Sequence, residues 1–275
     1  MSLAEHLDGY GLAVRDSVAR EPMMHNLLRS RRRQGYDVHV EVNGNAAVFF
    51  YLHEEGTDHA ERTPARIARA FPARSGATVD VERALLEAPA TELVLSRERA
   101  GVYRVASRKG VAAFEVQGRR ARYRVLEGLG PLGFTASPAA RPLLDGGLHP
   151  LNAWFRGSAG GTCPDPLNQI AGLLERRRAP DLVVSAAPGW EPWTEGQAGL
   201  HGSLRREHMR VPLLLAGPGV PVRTLARGRT VDVFPTLCEI LGLEVPPGQE
   251  GVAMPWRPAG KQARRKAGFA ALHAE

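Results

Sequence analysis

Two short runs restrict the fold most: Leu182-Val183-Val184-Ser185-Ala186-Ala187 and Val211-Pro212-Leu213-Leu214-Leu215-Ala216. Both are almost wholly apolar and show no polar alternation. Both are too short for a typical helix. Such runs read as strands covered on both faces, which is the signature of an α/β sheet. The amphipathic stretch from Asp165 to Arg178, with Leu167, Ile170, Ala171, Leu173 and Leu174 at helical spacing, precedes the first run. Val231 to Leu241, closed by Gly242, reads as a helix after the second, with Thr230 or Asp232 as its cap. Helix, strand, loop, strand, helix is an α/β arrangement.

A different pattern occupies residues 36–127. Tyr36-Asp37-Val38-His39-Val40-Glu41-Val42 alternates with period two, Asn43-Gly44-Asn45 is a turn signal, and Ala46 to Leu52 comes next as a second strand. After a helix predicted at Val79 to Glu87 come four strand-like runs: Glu92 to Ser96, Val102 to Ala106, Val111 to Val116 and Arg122 to Leu126. Their short glycine- and arginine-bearing separators predict an antiparallel meander. The expected organisation is a helical segment over 1–35, the hairpin and meander over 36–127, and a glycine- and proline-rich loop or linker over 128–163. The α/β part lies over 164–255, then a basic, disordered tail over 256–275. Within the first of these, Arg15 to Arg33 is read as helix-compatible.

Charge and cysteine content exclude some functions. The net charge is +7, from 36 basic and 29 acidic residues, and only Lys109, Lys261 and Lys266 among the basic ones are lysines. Arginine this dominant points to a G+C-rich, bacterial genome more than to a binding surface. Most arginines are scattered; only Arg29 to Arg33 and the tail 261–266 are concentrated, and aromatic content is 6%. A nucleic-acid interface would need a basic face with interleaved aromatics, so nucleic acid is not the expected partner. Cys163 and Cys238 form neither a metal-type pair nor a disulfide framework, and Cys238 reads as a core thiol. With no secretory signal at its start and no window near the ~18 apolar residues of a membrane span, the chain is expected to be soluble and cytoplasmic.

His201 is the candidate metal ligand. It stands in a glycine-flanked loop just before an apolar strand; a neutral imidazole binds zinc well, and open α/β sheets hold their sites beside strand ends. Two other strings have ligand-like spacing. Asp58-His59 comes after the hairpin, and Asp145-Gly146-Gly147-Leu148-His149 could bring two donors onto one turn; solvated turns are the expectation for both. His208 reads as a surface residue. Trp190 and Trp193 either wall a pocket or cover the loop.

The runs Asp181 to Trp190, His201-Gly202-Ser203-Leu204, Val211 to Val220 and Val231 to Leu243, with Gly248 and Gly251 after them, succeed one another in a specific order. Together they resemble the closing part of alkaline phosphatase superfamily hydrolases of the phosphodiesterase and nucleotide pyrophosphatase type, over about residues 165–255. The hairpin and meander are more loosely similar to that family's insert before its last histidine. The resemblance implies metal-dependent phosphoester hydrolysis, in which a Thr or Ser attacks phosphorus between two zinc ions. It implies that His201 is the last metal-binding histidine. The family's nucleophile, its Asp-x-x-x-His pair and its Asp-His-Gly pair belong before the hairpin, where this chain has almost nothing. The expectation is therefore a partial alkaline-phosphatase-like sheet with an antiparallel insert, a truncated C-terminal portion inactive alone, and a partner chain or segment that supplies the missing half. A catalytically inactive remnant and a basic binding module stay open as alternatives.

Overall fold

A computed structural model describes residues 2–16, 35–43, 46–52, 65–190, 201–218 and 220–256. The chain is mixed α/β, built on one nine-stranded sheet with helices and a small two-stranded sheet. Helix α1 (Leu3–Asp8) leads to β1 (Val14–Asp16), β2 (Val38–Asn43) and β3 (Ala47–Leu52). Next come α2 (Ala65–Ala68), the small pair β4 (Phe71–Pro72) and β5 (Thr78–Val79), and α3 (Val81–Glu87). The meander is β6 (Thr91–Arg99), β7 (Val102–Ser107), β8 (Gly110–Gln117) and β9 (Arg120–Gly128). After it lie β10 (His149–Pro150), α4 (Leu151–Ser158), α5 (Pro166–Leu174), β11 (Leu182–Ala186), α6 (Arg206–Met209) and α7 (Thr230–Leu241).

The strand order is β1-β2-β3-β11-β6-β7-β8-β9-β10. Only β1 and β2 run parallel; the other neighbours are antiparallel. The predicted hairpin is β2–β3, with Val38 opposite Leu52 and Asn43 opposite Ala47. The predicted meander is β6–β9. Strand β11 joins the two into one sheet, lying between β3 and β6 with Val184 opposite both Val48 and Val94. All five β11 residues are buried. Leu182 and Val184 enter one core cluster and Val183 the other, so the strand is covered on both faces as its unbroken apolar composition requires.

The two cores lie on opposite faces and opposite halves of the sheet. Leu3 and Leu7 of α1, with Val81 and Leu85 of α3, cover Val38, Val40, Val48 and Phe50. Trp154 of α4, with Leu167, Ile170 and Leu174 of α5, covers Tyr103, Phe114 and Tyr123 on the other side. Buried polar groups fasten the layers. Asp37, 1% exposed, accepts from the backbone N–H of Ala13 at 2.8 Å and of Arg74 at 2.9 Å. Arg104 of β7 forks onto both carboxylate oxygens of Glu82 of α3 at 3.0–3.1 Å.

Three local expectations change. Residues 14–16, expected to be helical, form edge strand β1, held by the parallel ladder to β2 and by Val14 against the first core; residues 17–34 lie outside the described ones. The 128–163 stretch, expected as loop or linker, carries two 3-10 turns, β10 and α4. Its glycines and prolines hide anchors that only packing reveals: Phe134 and Trp154 are each 1% exposed. The run 211–216, expected as a buried strand, is in no strand, and Leu214 is 89% exposed. A strand exists only through a neighbouring edge, and no described residue supplies one here; Pro212 also lacks a donor.

Contacts divide the chain into two units, Met1–Val211 and Pro212–Glu275. In the second, α7 begins after Arg229, whose N–H donates to Asp232, and ends at Gly242 in the left-handed conformation with φ of 73°. Buried Asp232 also accepts from Val252 N–H, and the Thr236 hydroxyl accepts from Met254 N–H. Among the described residues of this unit, nine large apolar side chains are exposed: Leu213, Leu214, Val222, Val231, Phe234, Leu237, Leu241, Leu243 and Val252. The tail beyond Trp256 lies outside the described residues. No helix among those described is long and apolar enough to cross a membrane.

Candidate functional site

The loop beginning at His201 returns to the sheet end where β11 finishes. Ala186 N–H donates to the Ala46 carbonyl at 3.0 Å, and Ala46 N–H donates to the His201 carbonyl at 3.2 Å. His201 is thus held by its backbone beside the start of β3, with its side chain exposed. Gly202, at φ of 100°, turns the chain inward, a conformation a side chain would strain.

Residues 203–206 are pinned firmly. Ser203 is 1% exposed; its hydroxyl accepts from Arg205 N–H at 3.2 Å and bonds His208 Nδ1 at 2.6 Å. Arg205 pairs with Glu92 at the start of β6 at 2.7 Å, with both side chains about three-quarters buried, and reaches Glu207 at 3.5 Å. Arg206 donates its guanidinium to the carbonyls of Gly160 and Gly161, and its backbone N–H to Thr162. These contacts fix the loop to β6 and to the turn after α4.

The Ser203–His208 pair has the residue types of a nucleophile and its base. Burial withdraws the hydroxyl from any substrate, so the pair fixes a turn ahead of α6. Cys163 is close enough to this cluster to feel the charges of Glu92, Arg205 and Glu207; burial foremost, then the Glu92 carboxylate, pushes its thiol up to about 12. A thiol so placed stays protonated at neutral pH and is a poor nucleophile.

The Asp145–His149 string gathers no further metal donor among the described residues. Asp145 and His149 bond each other at 2.7 Å, and Asp145 also accepts from Gly147 N–H. The His149 hydrogen bond, then that of Gly147, holds the Asp145 carboxyl below its usual range. The spacing closes a surface turn. Asp58-His59 and Trp193 lie outside the described residues; Trp190 is half-exposed, its N–H on the Ala187 carbonyl. Among the described residues no three His, Cys, Asp or Glu side chains come together to hold a metal ion. A catalytic zinc takes about three protein ligands, so His201 and its described neighbours do not by themselves fit one.

Sequence reasoning placed His201 in a glycine-flanked loop just before an apolar strand; the strand at 211–216 is not formed, the sheet end beside His201 is at Ala46 instead, and the contacts of Glu92 and Ser203 were missed. Glu92 and Arg205 are 113 residues apart in sequence, and neither had a local signal of its partner. Comparison with protein-family models, with curated proteins and with solved structures gave no match.

Proposed function

We propose that this chain is a portion of a metal-dependent phosphoester hydrolase of the alkaline phosphatase superfamily type, inactive alone, in which His201 contributes one imidazole to a zinc centre. The observation that carries it is the pinned loop: an exposed imidazole on a backbone whose carbonyl accepts from Ala46 N–H, just before β3, while the Ala46 carbonyl accepts from Ala186, the last residue of an apolar strand covered on both faces. Active sites of open α/β sheets form at strand ends, and a ligand must be held in place before the metal arrives. The described residues hold no triad of His, Cys, Asp or Glu donors, so the remaining donors lie outside them, and on this reading a partner chain or segment supplies them. Zinc in such a centre would polarise the phosphoryl oxygens and ionise the attacking group. This chain's own contribution is positional. Arg205, Arg206 and Ser203 keep the loop rigid, and His201 presents its ring to the outside.

The test supplies the partner. The chain is co-expressed with the polypeptide encoded immediately upstream of Met1, and zinc content and hydrolysis of bis(p-nitrophenyl) phosphate are measured for wild type and His201→Ala. Loss of both zinc and hydrolysis in the variant is expected. Unchanged zinc and unchanged rate remove His201 from the centre, and no zinc in the wild-type pair removes the reading altogether.

A further inference from the structure

We infer that His39, Glu41 and Tyr51 form a ferric-ion site on the face of β2 and β3 turned away from the first core. Val38 and Val40 of β2, with Val48, Phe50 and Leu52 of β3, belong to that core, so the alternate residues His39, Glu41 and Tyr51 share the opposite face. His39 stands directly opposite Tyr51 in the antiparallel pair. The Glu41 carboxylate links the two: Oε1 accepts from His39 Nε2 at 3.2 Å, and Oε2 accepts from the Tyr51 hydroxyl at 3.3 Å. The side chains of His39 and Glu41 are 21% and 46% exposed, so an ion can reach them from solvent.

Those spacings suit a metal ion. Donors held about 2.1 Å from one ion stand about 3.0–3.4 Å from each other. An imidazole, a carboxylate and a phenol thus meet the geometry before any metal arrives, on paired strands that hold them in place. Donor chemistry chooses the ion. Burial foremost, then the Glu41 charge, holds the Tyr51 phenol above its ordinary value, so Tyr51 coordinates only if the ion displaces its proton. On binding, that proton passes to solvent. The imidazole proton moves from Nε2 to Nδ1, which is buried with no hydrogen-bond partner among the described residues. Both steps are uphill. A small, triply charged ion with a strong preference for anionic oxygen offsets them, whereas zinc is served as well by neutral imidazole and thiolate elsewhere. Tyrosinate oxygen ligates iron in proteins. Three protein donors leave positions for water or a small anion, and Arg15, opposite His39 in the β1–β2 ladder, supplies a positive charge for that anion.

This site does not depend on the zinc centre. The full chain, stripped with a chelator, is offered ferric nitrilotriacetate and desalted. The wild type should retain equimolar iron and show a visible phenolate-to-iron charge-transfer band. Tyr51→Phe should lose the band, and His39→Gln and Glu41→Gln should each lower iron affinity at least about tenfold, with far-UV circular dichroism unchanged in all three. A wild type that retains no iron, iron held without the band, or a band that survives Tyr51→Phe overturns the site. His201→Ala should leave iron and band unchanged, and loss of either there overturns it as well.

Discussion

Replacing Glu82 with leucine removes the carboxylate that receives three hydrogen bonds from the Arg104 guanidinium. The pair ties α3 to β7, with side-chain exposures of 7% for Glu82 and 14% for Arg104. An exposed pair would contribute about 0–1 kcal/mol. Here the remaining guanidinium keeps little access to water, and breaking such a buried pair costs about 3–5 kcal/mol. Loss of an acidic group from the first turn of α3 adds about 0.3–1 kcal/mol, since the helix N-terminus favours negative charge. In a unit ending at Val211, each kcal/mol lowers the melting temperature by about 2–4 °C, so a fall of about 7–24 °C is expected. Arg104→Leu should cost a similar amount by stranding Glu82. The double variant should recover to within about 2 kcal/mol of wild type, because two apolar side chains leave no charge unpaired. Urea unfolding of the four proteins at neutral pH gives the coupling energy directly. Single variants that lose less than about 1 kcal/mol, or a double variant whose loss is the sum of the two, would refute the reasoning.

Two more outcomes concern titrating groups. A hydrogen bond from His39, then the charge on that ring and a hydrogen bond from Tyr51, hold the Glu41 carboxyl below its ordinary value against the opposing effect of burial. A depressed carboxyl stabilises the fold above its unfolded value of about 4.3 and loses that contribution as pH falls through the lower folded value. The stability gap between wild type and Glu41→Gln should therefore shrink from about pH 6 to pH 3 in urea titrations; a constant or widening gap contradicts it. Cys163, 4% exposed and with its thiol pushed up to about 12, should resist iodoacetamide at pH 8 in the native protein and react once unfolded. Rapid native labelling at Cys163, read by peptide mass spectrometry, would show the site to be open.

The elements legible in the amino-acid sequence are those whose signal is local. The hairpin β2–β3 and the meander β6–β9 announce themselves through alternation and through the turn residues between runs. One glycine there could have been nothing else: a side chain at Gly128, at φ of 57°, would collide with the Lys109 carbonyl. Helix α5 was legible because Leu167, Ile170 and Leu174 keep helical spacing and all three are buried. Helix α4 was not, because its glycine and serine flanks mask one deeply packed tryptophan whose indole N–H reaches the Ala121 carbonyl at 2.9 Å. For the candidate site, the glycine beside His201 was readable, but the Glu92–Arg205 pair and the Ser203–His208 pair exist only once the loop is laid against β6.

The sharpest contrast lies between the two apolar runs. By composition, 182–187 and 211–216 are the same kind of segment. Tertiary structure made the first a central strand, since β3 and β6, both distant from it in sequence, offer it two hydrogen-bonding edges and two helix-covered faces. The second has no such edge among the described residues, forms no regular structure and stays largely exposed. Apolar composition determines that a segment is better off buried. Which neighbours bury it depends on chain pairings that no local pattern encodes.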